Sequence, residues 1–122
     1  VHPGATWTTS VCTGSLYLAA AGLLAGAEAT THWAWADRLE ALGPRYTEQR
    51  VVEHGDVITA AGVSSGIDMA LTLLDRMYGP EMAQAVQLAI EYDPQPPFDA
   101  GAPSKAAPEI VEMVRAFNAT PV

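Results

Sequence analysis

Hydrophobic and polar positions divide the chain into alternating short strands and amphipathic helices. Residues 6–11 (TWTTSV) are β-branched and aromatic, which predicts a strand buried in a sheet. From Gly14 the period changes: Leu16, Ala20, Leu23 and Leu24 recur on one helical face, and Gly26 reads as the stop. A short strand-like "ATTHW" follows, then an amphipathic stretch over 34–42 that closes at Gly43 and Pro44. Residues 50–52 (RVV) and 57–61 (VITAA) flank the turn signal "EHGD" and predict two more strands. "GVSSGID" then opens a strong helix. Ser65 and Asp68 stand at capping-box spacing, and Ile67, Leu71, Leu74 and Tyr78 share a face. Gly79 and Pro80 end that helix and begin another, whose apolar face carries Met82, Val86, Ala89 and Ile90. After Tyr92, "DPQPPFDAGAPSKAAP" is too rich in Pro and Gly for regular structure and predicts a surface strap, with a short, poorly packed helix at about 108–117.

Strands alternating with helices predict an α/β fold with a mostly parallel sheet. The 122 residues, 49% of them hydrophobic, are enough for one modest core. A partition follows: 1–103 as the domain and 104–122 as a Pro/Ala-rich tail with its short helix. The chain opens "VHPG", without Met, and enters a strand at once, so a segment before Val1 is expected. Fourteen acidic residues against six basic give a formal charge of −8, which repels phosphate backbones and anionic lipid. No nucleic-acid partner and no membrane contact are therefore expected. One cysteine cannot close an internal disulfide, no signal peptide is visible, and apolar runs break well short of bilayer length; a cytoplasmic setting fits.

In a parallel sheet, sites form where strands turn into helices. Cys12 occupies such a point. A nucleophile on a sharp strand-to-helix turn needs small residues two places to either side, and Ser10 and Gly14 supply them. The start of the following helix would favour the thiolate, and the Thr13 N–H would face negative charge developing on a substrate atom. The alternative is an inert cysteine buried among apolar neighbours.

Three stretches, "SVCTGSLYLAAAGLLAGAEATTHW", "RVVEHGDVITAAGVSSGIDMALTLLDRMYG" and "VQLAIEYDPQPPFDAG", resemble in order the carboxyl-terminal portion of the DJ-1/PfpI superfamily, most closely the isonitrile (cyclohexyl isocyanide) hydratases. The resemblance implies a flavodoxin-like, class I glutamine-amidotransferase-like layered sandwich that lacks its amino-terminal strands here. It implies hydration of an isocyanide to an N-substituted formamide through a thioimidate on Cys12. No cofactor is implied, and a homodimer is, with the helices after Ser64 contributing to the contact. The family's acid/base carboxylate touches the residue matched by Thr13 and comes from the early part of the fold; no position here matches it. The Cys-Thr-Gly elbow and "TTHW" are shared with a second branch, AraC-type transcription regulators, in which the domain serves as a ligand or redox sensor. No basic helix-turn-helix pattern follows Ala102. A His directly after the nucleophile, usual in the protease-like and glyoxalase-like branches, is replaced by Thr13.

The remaining candidates each have a bland counterpart. His32 is a polar neighbour of the elbow or a structural histidine at a strand end. Gly62, Val63 and Ser64, between a strand and a helix, line the pocket with Gly14 or form an ordinary loop. Trp33 and Trp35 wall an apolar site for an alkyl or cyclic substituent, or belong to the core or an interface. His54 reads as a solvated turn residue, His2 as part of a frayed end, and Asp68 as a helix cap rather than a general acid. Three scattered His and one Cys have no metal-ligand spacing.

Overall fold

The computed structural model describes residues 4–119 of the chain; His2 lies outside them. Regular structure runs β1 (Thr8–Val11), α1 (Gly14–Ala20), β2 (Glu28–Ala29), a 3-10 turn (Trp33–Trp35), α2 (Ala36–Ala41), β3 (Arg45–Tyr46), β4 (Val51–His54), β5 (Val57–Ala60), α3 (Ser65–Tyr78), α4 (Pro80–Ala89) and α5 (Pro108–Ala119). By internal packing the chain divides into two units, Val1–Tyr92 and Asp93–Val122.

The first unit is built around β5. All four of its residues, Val57, Ile58, Thr59 and Ala60, are buried, as expected of a strand with neighbours on both edges and both faces. β1 pairs with it in parallel, Ser10 opposite Thr59 and Val11 opposite Ala60. β4 pairs antiparallel on its other edge, Val52 opposite Thr59 and His54 opposite Val57. Only Gly55 and Asp56 separate that last pair, and a loop so short needs positive φ; Gly55, at 62°, provides it. A second pairing, β2 parallel to β3, joins Glu28 to Arg45 and Ala29 to Tyr46. Among the described residues two of the three strand pairings are thus parallel, and the fold is α/β.

Strand alternation assigns the two faces of β5 to different layers. Val57 packs with Ala19, Leu24, Ala29 and Leu39, the buried sides of α1, α2 and β2. Ile58 and Ala60 pack with Met69 of α3, supported by Trp7, Val51 and Leu73. The second face corrects the sequence reading of α3. Ile67 (42% exposed) and Tyr78 (65%) point to solvent, whereas Ser65 and Met69 are buried and Leu73 meets the core. In α1, likewise, Ala19 is buried and Ala20 is exposed. That helix also ends six residues before Gly26, through turns over 21–26 that include Gly22 at φ 81°.

The break at Gly79 and Pro80 falls where the sequence set it: Gly79 has φ 91° and Pro80 is the first residue of α4. α4 has no buried residue; Met82 and Leu88 are exposed, as is Ile90 at its C-cap. In the second unit, an ion pair joins Lys105 Nζ to Asp99 Oδ1 at 3.1 Å, and α5 exposes Ile110, Met113 and Phe117. No helix among the described residues is long and apolar enough to cross a membrane.

Candidate active site

β1 ends one residue before Cys12, and α1 begins two residues after it. At the bend Cys12 has φ 59°, a left-handed conformation that costs a non-glycine residue about 1–2 kcal/mol. Such strain persists only where the surroundings over-determine it. Here the surroundings can be named. The Cys12 N–H donates to the carbonyls of Ala61 (2.7 Å) and Ala60 (3.1 Å), while the Cys12 carbonyl accepts from Thr31 Oγ1 (2.9 Å) and Ser15 Oγ (3.3 Å). Thr31 and Ser15 are fully buried, so the peptide on each side of the thiol is pinned from β5, from α1 and from the segment after β2. The residue itself is half-buried and its thiol is free.

The small neighbours fit as the spacing predicts. A Cβ added to Gly14 would stand 3.6 Å from Ser10 Cβ, so the two small positions pack against each other beneath the bend. α1 has only seven residues, with Thr13 as its N-cap and no side-chain cap. In its first turn the Leu16 N–H donates to the Thr13 carbonyl (3.0 Å).

His32 borders the same place. Its Nδ1 accepts from the Ala34 N–H (3.1 Å), so in the neutral ring the proton is on Nε2. Burial lowers its pKa from the ordinary imidazole value, which keeps the ring neutral at pH 7. Trp33 stacks on it, centroids 5.5 Å apart at 28°. A Cβ on Gly62 would lie 3.4 Å from His32 Cδ2, and one on Gly66 the same distance from Val11 Cγ1. The 60–66 segment is therefore held against the elbow at three points: Ala61 on Cys12, Gly62 on His32, and Gly66 on Val11. Between them, Val63 is 81% exposed and Ser64 stands at the N-cap position of α3 without capping it through its side chain. The structure thus places Ala61 on Cys12 and the adjacent Gly62 against His32, with Trp33 reached through His32.

One expectation fails. Neither Ser64 nor Ser65 makes a side-chain cap to α3, and Asp68 does not cap it. The Asp68 carboxylate instead receives Arg50 Nε at 2.5 Å and the Tyr92 hydroxyl. Burial alone would raise this carboxyl, but the hydrogen bonds from Arg50 and Tyr92 outweigh it and hold the group below the ordinary carboxylate range. Sequence reasoning also missed Thr31 and Ser15. Ser15, three residues after the cysteine on a helix-opening turn, carries a readable local signal; Thr31, nineteen residues away in "TTHW", carries none. Among the described residues no group of three or more His, Cys, Asp or Glu is placed to hold a metal.

Residues 1–76 match the sequence profile of the DJ-1/PfpI family. The chain belongs to that family. The candidate residues from Cys12 to Ser64 lie inside the matched range, as does Asp68; Tyr92 lies beyond it. Isonitrile hydratase of Pseudomonas putida is 51% identical over 111 residues, 91% of this chain and 49% of that protein. The HTH-type transcriptional regulator CdhR of Pseudomonas aeruginosa is 40% identical over 76 residues, 61% of this chain and 23% of the regulator. Among solved structures, a ThiJ/PfpI family protein from Pseudomonas syringae superposes with a TM-score of 0.90 at 43% identity, over 94% of this chain and 48% of that one. The chain therefore spans about half the length of the hydratase and of this structural relative.

Proposed function

We propose that this chain carries the nucleophile of an isonitrile hydratase. The observation that supports it most is the strained, four-fold pinned backbone of Cys12 at a strand-to-helix bend, in a chain 51% identical to a protein of that name. Strain of this kind is expected where a side chain must stand clear of a sheet. The Cys12 sulfur attacks the terminal carbon of the isocyanide, forming a C–S bond, and a proton delivered to the same carbon gives a thioimidate. Water then adds across the C=N bond, oxygen to carbon and hydrogen to nitrogen. Collapse breaks the C–S bond, releases the N-substituted formamide and returns the proton to sulfur. Covalent catalysis divides one hard hydration into two easier additions.

In this reading the Thr13 N–H faces the charge that develops on the reacting group, Gly14 gives it room, and neutral His32 offers its Nε2–H as a donor at the mouth. Gly62, Val63 and Ser64 form the wall opposite, with Trp33 behind His32. The substrate is a small isocyanide, no cofactor is required, and the exposed apolar side chains of α3 and α4 serve a homodimer contact. The test is incubation of the whole protein with cyclohexyl isocyanide and detection of N-cyclohexylformamide by mass spectrometry, with Cys12→Ser as control. Formamide from the wild type alone supports the reading; none from either overturns it.

Identity to a transcription regulator over 61% of the chain favours a second reading, in which the elbow is a sensor pocket. Tight binding of a metabolite without turnover, in the same incubation, would select it.

A further inference from the structure

Two ion pairs join β4 and its approach to α3. Arg76 donates from Nε and Nη2 to both oxygens of Glu53, at 2.8 and 2.9 Å, near the far end of the helix. Arg50 pairs with Asp68 in the first turn, next to the elbow. Only the second reaches the site. The Arg50 carbonyl accepts from the Ala61 N–H (2.8 Å), and its Nη2 donates to Ser64 Oγ (3.4 Å), so one residue holds both ends of the 62–64 loop. The Asp68 carboxylate that orients this guanidinium is itself fixed on its other oxygen by the Tyr92 hydroxyl. Tyr92 in turn is anchored after α4, its N–H donating to the Gln87 carbonyl (3.0 Å) and its carbonyl accepting from Gln87 Nε2 (3.2 Å).

Resting on the hydratase reading for its substrate, we infer that Tyr92, Asp68 and Arg50 are positioning residues that set the width of the Cys12 mouth by holding the Gly62–Ser64 wall, and so select the bulk of the group that reaches the sulfur. An exposed ion pair by itself contributes little stability. The same pair, fixed by a third residue and gripping a loop at both ends, restricts where the loop can go. Arg76–Glu53 supplies the internal control, because it links the same two elements without touching the loop.

The test measures the rate of Cys12 modification by N-cyclohexylmaleimide against N-methylmaleimide in the whole protein, located by peptide mass spectrometry. Tyr92→Phe, Asp68→Asn and Arg50→Lys should each change the cyclohexyl-to-methyl rate ratio by about threefold or more, the scale of a modest pocket contact. Arg76→Ala should leave the ratio at the wild-type value even where its melting temperature falls as far as theirs. In cyclohexyl isocyanide hydration the three clamp variants should raise KM and preserve kcat. A ratio unmoved in all three, or moved equally by Arg76→Ala, overturns the inference. Wild-type protein that makes no formamide overturns the hydratase reading alone, since the maleimide ratio still decides the clamp.

Discussion

At Cys12 the backbone and the side chain make opposite demands. The left-handed φ of 59° suits glycine, yet the position carries the only thiol in the chain. Replacement by glycine should therefore stabilise the fold relative to replacement by alanine by about 1 kcal/mol, with activity lost in both; paired denaturant titrations of Cys12→Gly and Cys12→Ala read this difference. His32 makes a second prediction possible. Its Nδ1 can accept from Ala34 only while the ring is neutral, and its folded pKa lies below the ordinary value. As pH falls through about 6.5 the unfolded chain takes up this proton first, so the stabilisation present above that pH is lost on further acidification. Asn at position 32 keeps an acceptor for the Ala34 N–H and cannot titrate. Melting temperatures of wild type and His32→Asn between pH 8 and 5 should diverge below about 6.5, the variant showing the flatter curve.

Elements were legible where local chemistry decides them. "EHGD" gave a hairpin because a two-residue loop calls for Gly55, and Gly79–Pro80 divided α3 from α4 because one tolerates positive φ and the other tolerates a first turn. Helix faces were less legible. The period in α3 allows several apolar stripes, and the choice of Met69 and Leu73 over Ile67 and Tyr78 was made by the sheet, through Ile58 and Ala60. The elbow was readable from Ser10, Cys12 and Gly14, whereas Thr31 and Arg50 act across nineteen and fourteen residues of chain, to Cys12 and Ser64, with no local period to mark them. Contact geometry yields a prediction at this scale. Gly66 has open helical φ, and a Cβ there would meet Val11 only at 3.4 and 3.5 Å, so Gly66→Ala should gain up to about 1 kcal/mol of helix propensity, read as an upward shift in melting temperature.

The whole molecule carries −8 on 122 residues, and its pH response follows from which groups the fold has shifted. Asp68 and Glu53 both lie below the ordinary carboxylate range: at Asp68 the bonds from Arg50 and Tyr92 overcome burial, and at Glu53 the bond from Arg76 dominates. Their contribution is present above about pH 4 and is lost as pH falls through their folded values, because the unfolded chain protonates first. Tyr92 is shifted upward, by its bond to Asp68 and by burial, so its contribution is present below about pH 10 and is lost as pH rises through the folded value. Stability should accordingly form a plateau between about pH 7 and 10, fall first on the acid side with His32, and fall again below about pH 4. Tyr92→Phe should remove its share of the alkaline decline and leave the His32 step in place. Chemical denaturation across pH 3 to 11 reads all of these steps, and an alkaline limb identical in Tyr92→Phe and wild type would mean that the phenol bears no part in holding Asp68.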